Sequence, residues 1–140
     1  LAKAAKAISE YSPNNSRSQL LKQHGKTLSF DAYNANPSSM QAAVTAFGKR
    51  SGKKAVILGR MAELGTYESA EHQSLVDLVA NHEFDACYWV GKPYQSIVAT
   101  NYFASVEELN VFLRTNPIEA DQVLIKGSRS ANLEKVLESL

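Results

Sequence analysis

Two short runs, VILG (Val56–Gly59) and VLIKG (Val123–Gly127), are apolar almost up to the glycine that ends each. A strand with one wet face alternates apolar and polar residues, whereas these do not, so both faces must be covered. That requirement constrains the fold more than any other feature of the chain. Three further stretches read as strands: Lys26–Tyr33, Phe84–Gly91 and Ala99–Ala104. The two apolar runs extend to Lys53–Arg60 and Asp121–Gly127. All are short, rich in β-branched or aromatic residues, and bounded by Gly, Asn or charge.

Helical periodicity fills the gaps. Met40, Ala43, Val44 and Phe47 share one face, as do His72, Leu75, Val76 and Val79 in a helix predicted over Tyr67–Asn81. Ser105 with Glu108 makes a capping box ahead of Val106, Leu109, Phe112 and Leu113. Leu133, Val136, Leu137 and Leu140 predict a last helix, and Leu1, Ala4, Ala5 and Ile8 a first one over Leu1–Tyr11. Strands alternating with helices predict an α/β domain with a parallel sheet and right-handed crossovers. Tyr11–Lys26 reads as an exposed loop with a hairpin into the first strand.

At 140 residues the chain suits one domain with a real core. Its net charge of +1 gives no global pull toward nucleic acid or an anionic membrane. No apolar run nears the roughly 20 residues that span a bilayer, and Leu1–Ile8 lacks the apolar stretch of a signal peptide. Cys87 is the single cysteine, so no internal disulfide forms, and a reducing compartment fits. The chain does not begin with Met, and we expect a piece of a longer protein, although processing would leave the same start.

In open α/β sheets ligands gather at the carboxyl ends of the strands, which selects three places. The first is FDAYNANPSSM (Phe30–Met40). Asn36 before Pro37 is a strong helix start, and Asn34 shapes the turn; both would also suit a ligand at free N–H groups. Capping does not explain Asp31, placed to accept from ribose hydroxyls, or Tyr33, able to stack on a base. The second is LGRMAELG (Leu58–Gly65), where Gly59 permits close backbone approach and Gly65 a positive φ. Its spacing fits neither a dinucleotide fingerprint nor a phosphate loop, and a structural β–α turn would account for it. The third is IKGSRSANLEKV (Ile125–Val136). Lys126, Ser128 and Arg129 cluster there before a helix start with Ser130 as its cap, suiting a carboxylate or phosphate, or simply a cap with solvated charges. His24, His72 and His82 lack metal-ligand spacing, and His72 reads as half-buried packing.

In their order, FDAYNANPSSMQAAV, LGRMAELG, His72, VGK (Val90–Lys92) and VLIKGSRSANLEKV resemble the MurF-type Mur ligases, over nearly the whole chain. The resemblance implies the C-terminal domain of such a ligase: a Rossmann-like three-layer α/β domain, mostly parallel, with one antiparallel strand. It also implies a cytoplasmic enzyme of peptidoglycan synthesis that uses ATP and magnesium (Mg2+) to join D-Ala-D-Ala to UDP-MurNAc-tripeptide through an acyl phosphate. By motif, Arg17 resembles the arginine that reaches the ATP phosphates, Asp31 the ribose-binding aspartate, and Tyr33, Asn34 and Asn36 the segment along the nucleotide and the reacting end. Leu64, Gly65, Lys126, Ser128 and Arg129, with Asn36, are expected to border the dipeptide. Arg60 departs from the pattern, which more often has an acidic residue there.

No phosphate loop, magnesium ligands of a central domain or UDP-binding domain occur in these 140 residues. We expect residues 1–140 to be one domain that works with N-terminal and central domains and does not catalyse ligation alone. The other readings are another Mur or folylpolyglutamate-type ligase with a different amine, and a non-catalytic nucleotide- or partner-binding α/β module.

Overall fold

The computed structural model describes residues 19–31 and 35–140. Arg17, Tyr33, Asn34 and the helix expected over Leu1–Tyr11 lie outside the described residues. Among those described, six strands form one sheet: β1 (Gln19–Gln23), β2 (Lys26–Asp31), β3 (Lys54–Gly59), β4 (Ala86–Val90), β5 (Tyr102–Phe103) and β6 (Gln122–Lys126). Their spatial order is β1-β2-β6-β3-β4-β5. β1 runs antiparallel to β2, and all the other pairs are parallel. The expected mixed, mostly parallel sheet is therefore present.

All six positions of β3 are buried, as an unalternating apolar strand requires. Ala55 and Ile57 face one layer, and Val56 and Leu58 the other. On the second face lie α1 (Pro37–Gly48) and α2 (Glu68–Ala80), which contribute Met40, Val44, Phe47, Leu75 and Val79. On the first lies α3 (Val106–Thr115), with Leu109 and Leu113, beside the segment Leu133–Ser139. Each such side chain contributes about 1.5–3 kcal/mol when fully buried. Lys54 ends up among apolar residues because its Nζ donates to the carbonyls of Gly48 (2.9 Å) and Arg50, where a cation offsets the carboxyl-end dipole of α1.

The hairpin expected before the first strand exists. Gln23 pairs with Lys26 across His24 and Gly25, whose φ values of 52° and 81° suit a two-residue turn. Two elements differ from expectation. The strand expected over Ala99–Ala104 shrinks to Tyr102–Phe103. Asn101 sits at φ 57° with its Nδ2 donating to the Cys87 carbonyl (3.0 Å), so extended pairing starts only after it. The last helix is a 3-10 helix, Leu133–Ser139. Its buried Leu133 and Val136 lie three residues apart, which is one 3-10 turn. No helix among the described residues is long and apolar enough to cross a membrane.

Candidate functional site

The carboxyl ends of β2, β3 and β6 bring most of the described candidate residues to one edge. β2 and β6 are in a register that places Asp31 opposite Lys126. Lys126 Nζ donates to Asp31 Oδ2 at 2.7 Å, with 4% of the lysine and 19% of the aspartate side chain exposed. Sequence reasoning assigned these two residues to different ligands, and the structure joins them as one buried ion pair. They line a cavity of about 350 Å³ with Leu20, Ala43, Phe47 and Arg50.

Asn36 caps α1 as expected. Its Oδ1 accepts from the Ser39 N–H (2.9 Å), Ser39 Oγ accepts from the Asn36 N–H (3.1 Å), and Pro37 opens the helix. The cap occupies only one end of the Asn36 amide, and the residue is exposed at the rim.

The turn leaving β3 is pinned at three consecutive residues. Tyr94 Oη donates to the Gly59 carbonyl (2.8 Å), the Ser128 N–H donates to the Arg60 carbonyl (3.0 Å), and the Met61 N–H donates to His72 Nε2 (2.9 Å). His72 Nδ1 lies 2.7 Å from the Glu68 carbonyl. Since Nε2 accepts, Nδ1 carries the proton and donates. His72 is wholly buried, with its ring edge-on to Tyr94, which corrects the half-buried reading. Burial holds its pKa below the ordinary 6.5, and burial likewise raises that of the Tyr94 phenol. Beyond this turn, Glu63 and Gly65 both adopt left-handed backbone, at φ 59° and 58°, so the positive φ expected at Gly65 is present. Leu64 is half-buried and Gly65 exposed.

The close approach foreseen at Gly59 is made by Gly127, at the end of the neighbouring strand. A Cβ on Gly127 would sit 2.8 Å from Gly59 Cα. That contact lets the loops after β3 and β6 pack together. Ser128 is buried, its Oγ 3.0 Å from Ser130 Oγ. Ser130 is not the cap expected: Ser128 holds the cap position of a 3-10 turn, Arg129–Ala131, without a side-chain cap bond. The chain then reverses at Asn132, φ 53°, so no α-helix starts there.

Arg60, the residue that departs from the sequence pattern, turns its guanidinium to Glu68 at 3.3 Å on a partly exposed rim. A second cavity of about 460 Å³ opens beside it, lined also by Lys92, Ser105, Ser130 and Asn132. Tyr94 and Glu68 carried no sequence signal, because their partners lie in other segments. Cys87 is a half-buried thiol pushed up to about 11 by burial, unsuited to nucleophilic work. Among the described residues, no three His, Cys, Asp or Glu side chains gather to hold a metal ion.

This edge belongs to a known architecture. Residues 16–129 match the family described as "Mur ligase, glutamate ligase domain". The UDP-N-acetylmuramoyl-tripeptide–D-alanyl-D-alanine ligase of Bacillus subtilis is 29% identical over 98% of this chain and 33% of its own length. That of Escherichia coli is 33% identical over 79% of this chain and 26% of its own length. The chain thus spans about a third or less of these relatives. Among solved structures, MurF from Acinetobacter baumannii superposes with a TM-score of 0.78 at 26% identity, over 96% of this chain and 32% of that one. MurF ligase from Thermotoga maritima in complex with ADP superposes with a TM-score of 0.74 at 27% identity, over 89% of this chain and 30% of that one. Family match and superpositions agree: the chain belongs to the Mur ligase family and carries its glutamate ligase domain.

Proposed function

We propose that this chain is the C-terminal domain of a ligase that adds D-Ala-D-Ala to UDP-MurNAc-tripeptide at the expense of ATP. The observation that carries this reading is the likeness, along almost the whole chain, to ligases named for that reaction, one solved with ADP. In the reaction the γ-phosphoryl group passes from ATP to the tripeptide carboxylate, and ADP leaves. The dipeptide amine then attacks the acyl carbon and loses a proton, and phosphate departs as the amide forms. UDP-linked substrate and ATP place this chemistry in the cytoplasm.

The residues here bind and orient. Asp31, its carboxylate direction fixed by Lys126, accepts from the ribose hydroxyls. Arg17 reaches the phosphates, where a guanidinium fork matches the oxygens, and Tyr33, Asn34 and Asn36 lie along the nucleotide and the reacting end. Leu64, Gly65, Ser128 and Arg129 border the dipeptide, with Lys126 behind them. Holding the amine beside the acyl phosphate is catalysis by proximity. Magnesium is bound by the central domain of the full-length enzyme. The N-terminal and central domains supply the remaining sites, and this domain alone is inactive.

In the full-length enzyme, Asp31→Ala should raise the KM for ATP about tenfold or more, and Arg17→Ala should lower kcat sharply. Wild-type kinetics in both variants would overturn the nucleotide assignment.

A further inference from the structure

We propose that His72 is the positioning residue for the dipeptide-facing loop: its neutral Nδ1–H imidazole clasps both ends of residues 61–68, and its protonation opens the clasp. The loop begins at Met61, whose N–H donates to Nε2 (2.9 Å), and ends at Glu68, whose carbonyl accepts from Nδ1 (2.7 Å). One buried ring therefore closes a loop that carries Leu64 and Gly65. The dipeptide role of that loop rests on the function proposed above; the clasp does not.

A neutral imidazole suits this position because it accepts at one nitrogen and donates at the other. A protonated ring donates at both, so Nε2–H would face the Met61 N–H, and the turn would lose its anchor. The neighbouring contacts leave the turn little alternative, since Tyr94 holds the Gly59 carbonyl and the Ser128 N–H holds the Arg60 carbonyl.

The charges facing the ring are few. Glu68 and Glu71, from its own helix, favour protonation, whereas Arg60, from the turn, opposes it. From the Lys92–Tyr94 turn comes the Tyr94 hydroxyl, held uncharged by burial. Burial outweighs these and keeps the ring neutral. Well above pH 6.5 the residue is neutral in both the folded and the unfolded chain. Below it the unfolded chain takes up the proton first, so stability falls as pH drops from 6.5 toward the lowered folded value.

The test is an imidazole nitrogen NMR titration of the 140-residue chain. His72 is expected to carry its proton on Nδ1 at neutral pH and to titrate below 6.5. The amide signals of Met61, Leu64 and Gly65 are expected to move with the same midpoint. A proton on Nε2, or loop amides that ignore the His72 midpoint, would overturn the proposal.

In the full-length ligase, His72→Ala should raise the KM for D-Ala-D-Ala about tenfold and leave the KM for ATP within about twofold. His72→Gln supplies one acceptor and one donor and should restore most of the loss. An equal loss in both constants that Gln fails to rescue would mean a general folding role and would sink the idea. If the wild-type enzyme does not use D-Ala-D-Ala, the ligase reading fails while the titration still decides the clasp.

Discussion

A lysine with 4% of its side chain exposed needs a fixed partner, and Asp31 supplies it across the parallel register. Removing one member forfeits a charge-assisted hydrogen bond, about 1.5–3 kcal/mol, whereas replacing both with apolar groups of like volume costs less. Lys126→Met should therefore lower stability by about that amount in urea denaturation, and Asp31→Leu combined with it should recover most of the loss. Strictly additive losses would show that the pair is not coupled. Asp31 and Lys126 were each legible in the sequence as polar residues at the ends of apolar strands. Their pairing was not, because the two lie 95 positions apart and meet only through the β2–β6 register. His72 was legible as a residue on an apolar face, but its hydrogen bond to Met61 exists only once α2 packs beneath the β3 turn.

At the scale of elements, β3 and β6 end side by side on two glycines whose backbones nearly touch. A methyl on Gly127 would lie 2.8 Å from both Gly59 Cα and Leu133 Cδ1. Gly127→Ala should therefore destabilise the chain by about 1–3 kcal/mol as the strands and the Leu133 segment are pushed apart. An unchanged midpoint in thermal unfolding would mean that the edge has slack. The glycines were legible as strand ends, and the apolar runs before them dictated the buried parallel strands that the sheet shows. The short β5 and the 3-10 form of Leu133–Ser139 were not legible. Each begins just after a left-handed asparagine, Asn101 or Asn132, a backbone state that the apolar pattern does not report. Periodicity located these segments but did not fix the backbone geometry that limits them.

For the whole molecule, the sheet gathers the described residues proposed above for nucleotide and dipeptide at one edge. Two cavities of about 350 and 460 Å³ open among the described residues there, one beside the Asp31–Lys126 pair and one beside Arg60. On the function proposed above, such an edge works by closing on another domain, and the chain spans about a third of the ligases it resembles. The fold and the family were legible because apolar runs and motifs are local in the sequence. On the proposed reading the amine is chosen by side chains from several loops, which local motifs do not report, and a direct assay decides it. The decisive measurement is ligation by the full-length enzyme of UDP-MurNAc-tripeptide and ATP with D-Ala-D-Ala, diaminopimelate, L-Lys or glutamate, run beside the 140-residue chain alone. The account predicts amide formation and ADP release with D-Ala-D-Ala only, and none from the chain by itself. Turnover of another amine in place of the dipeptide, or ligation by the isolated chain, would contradict it.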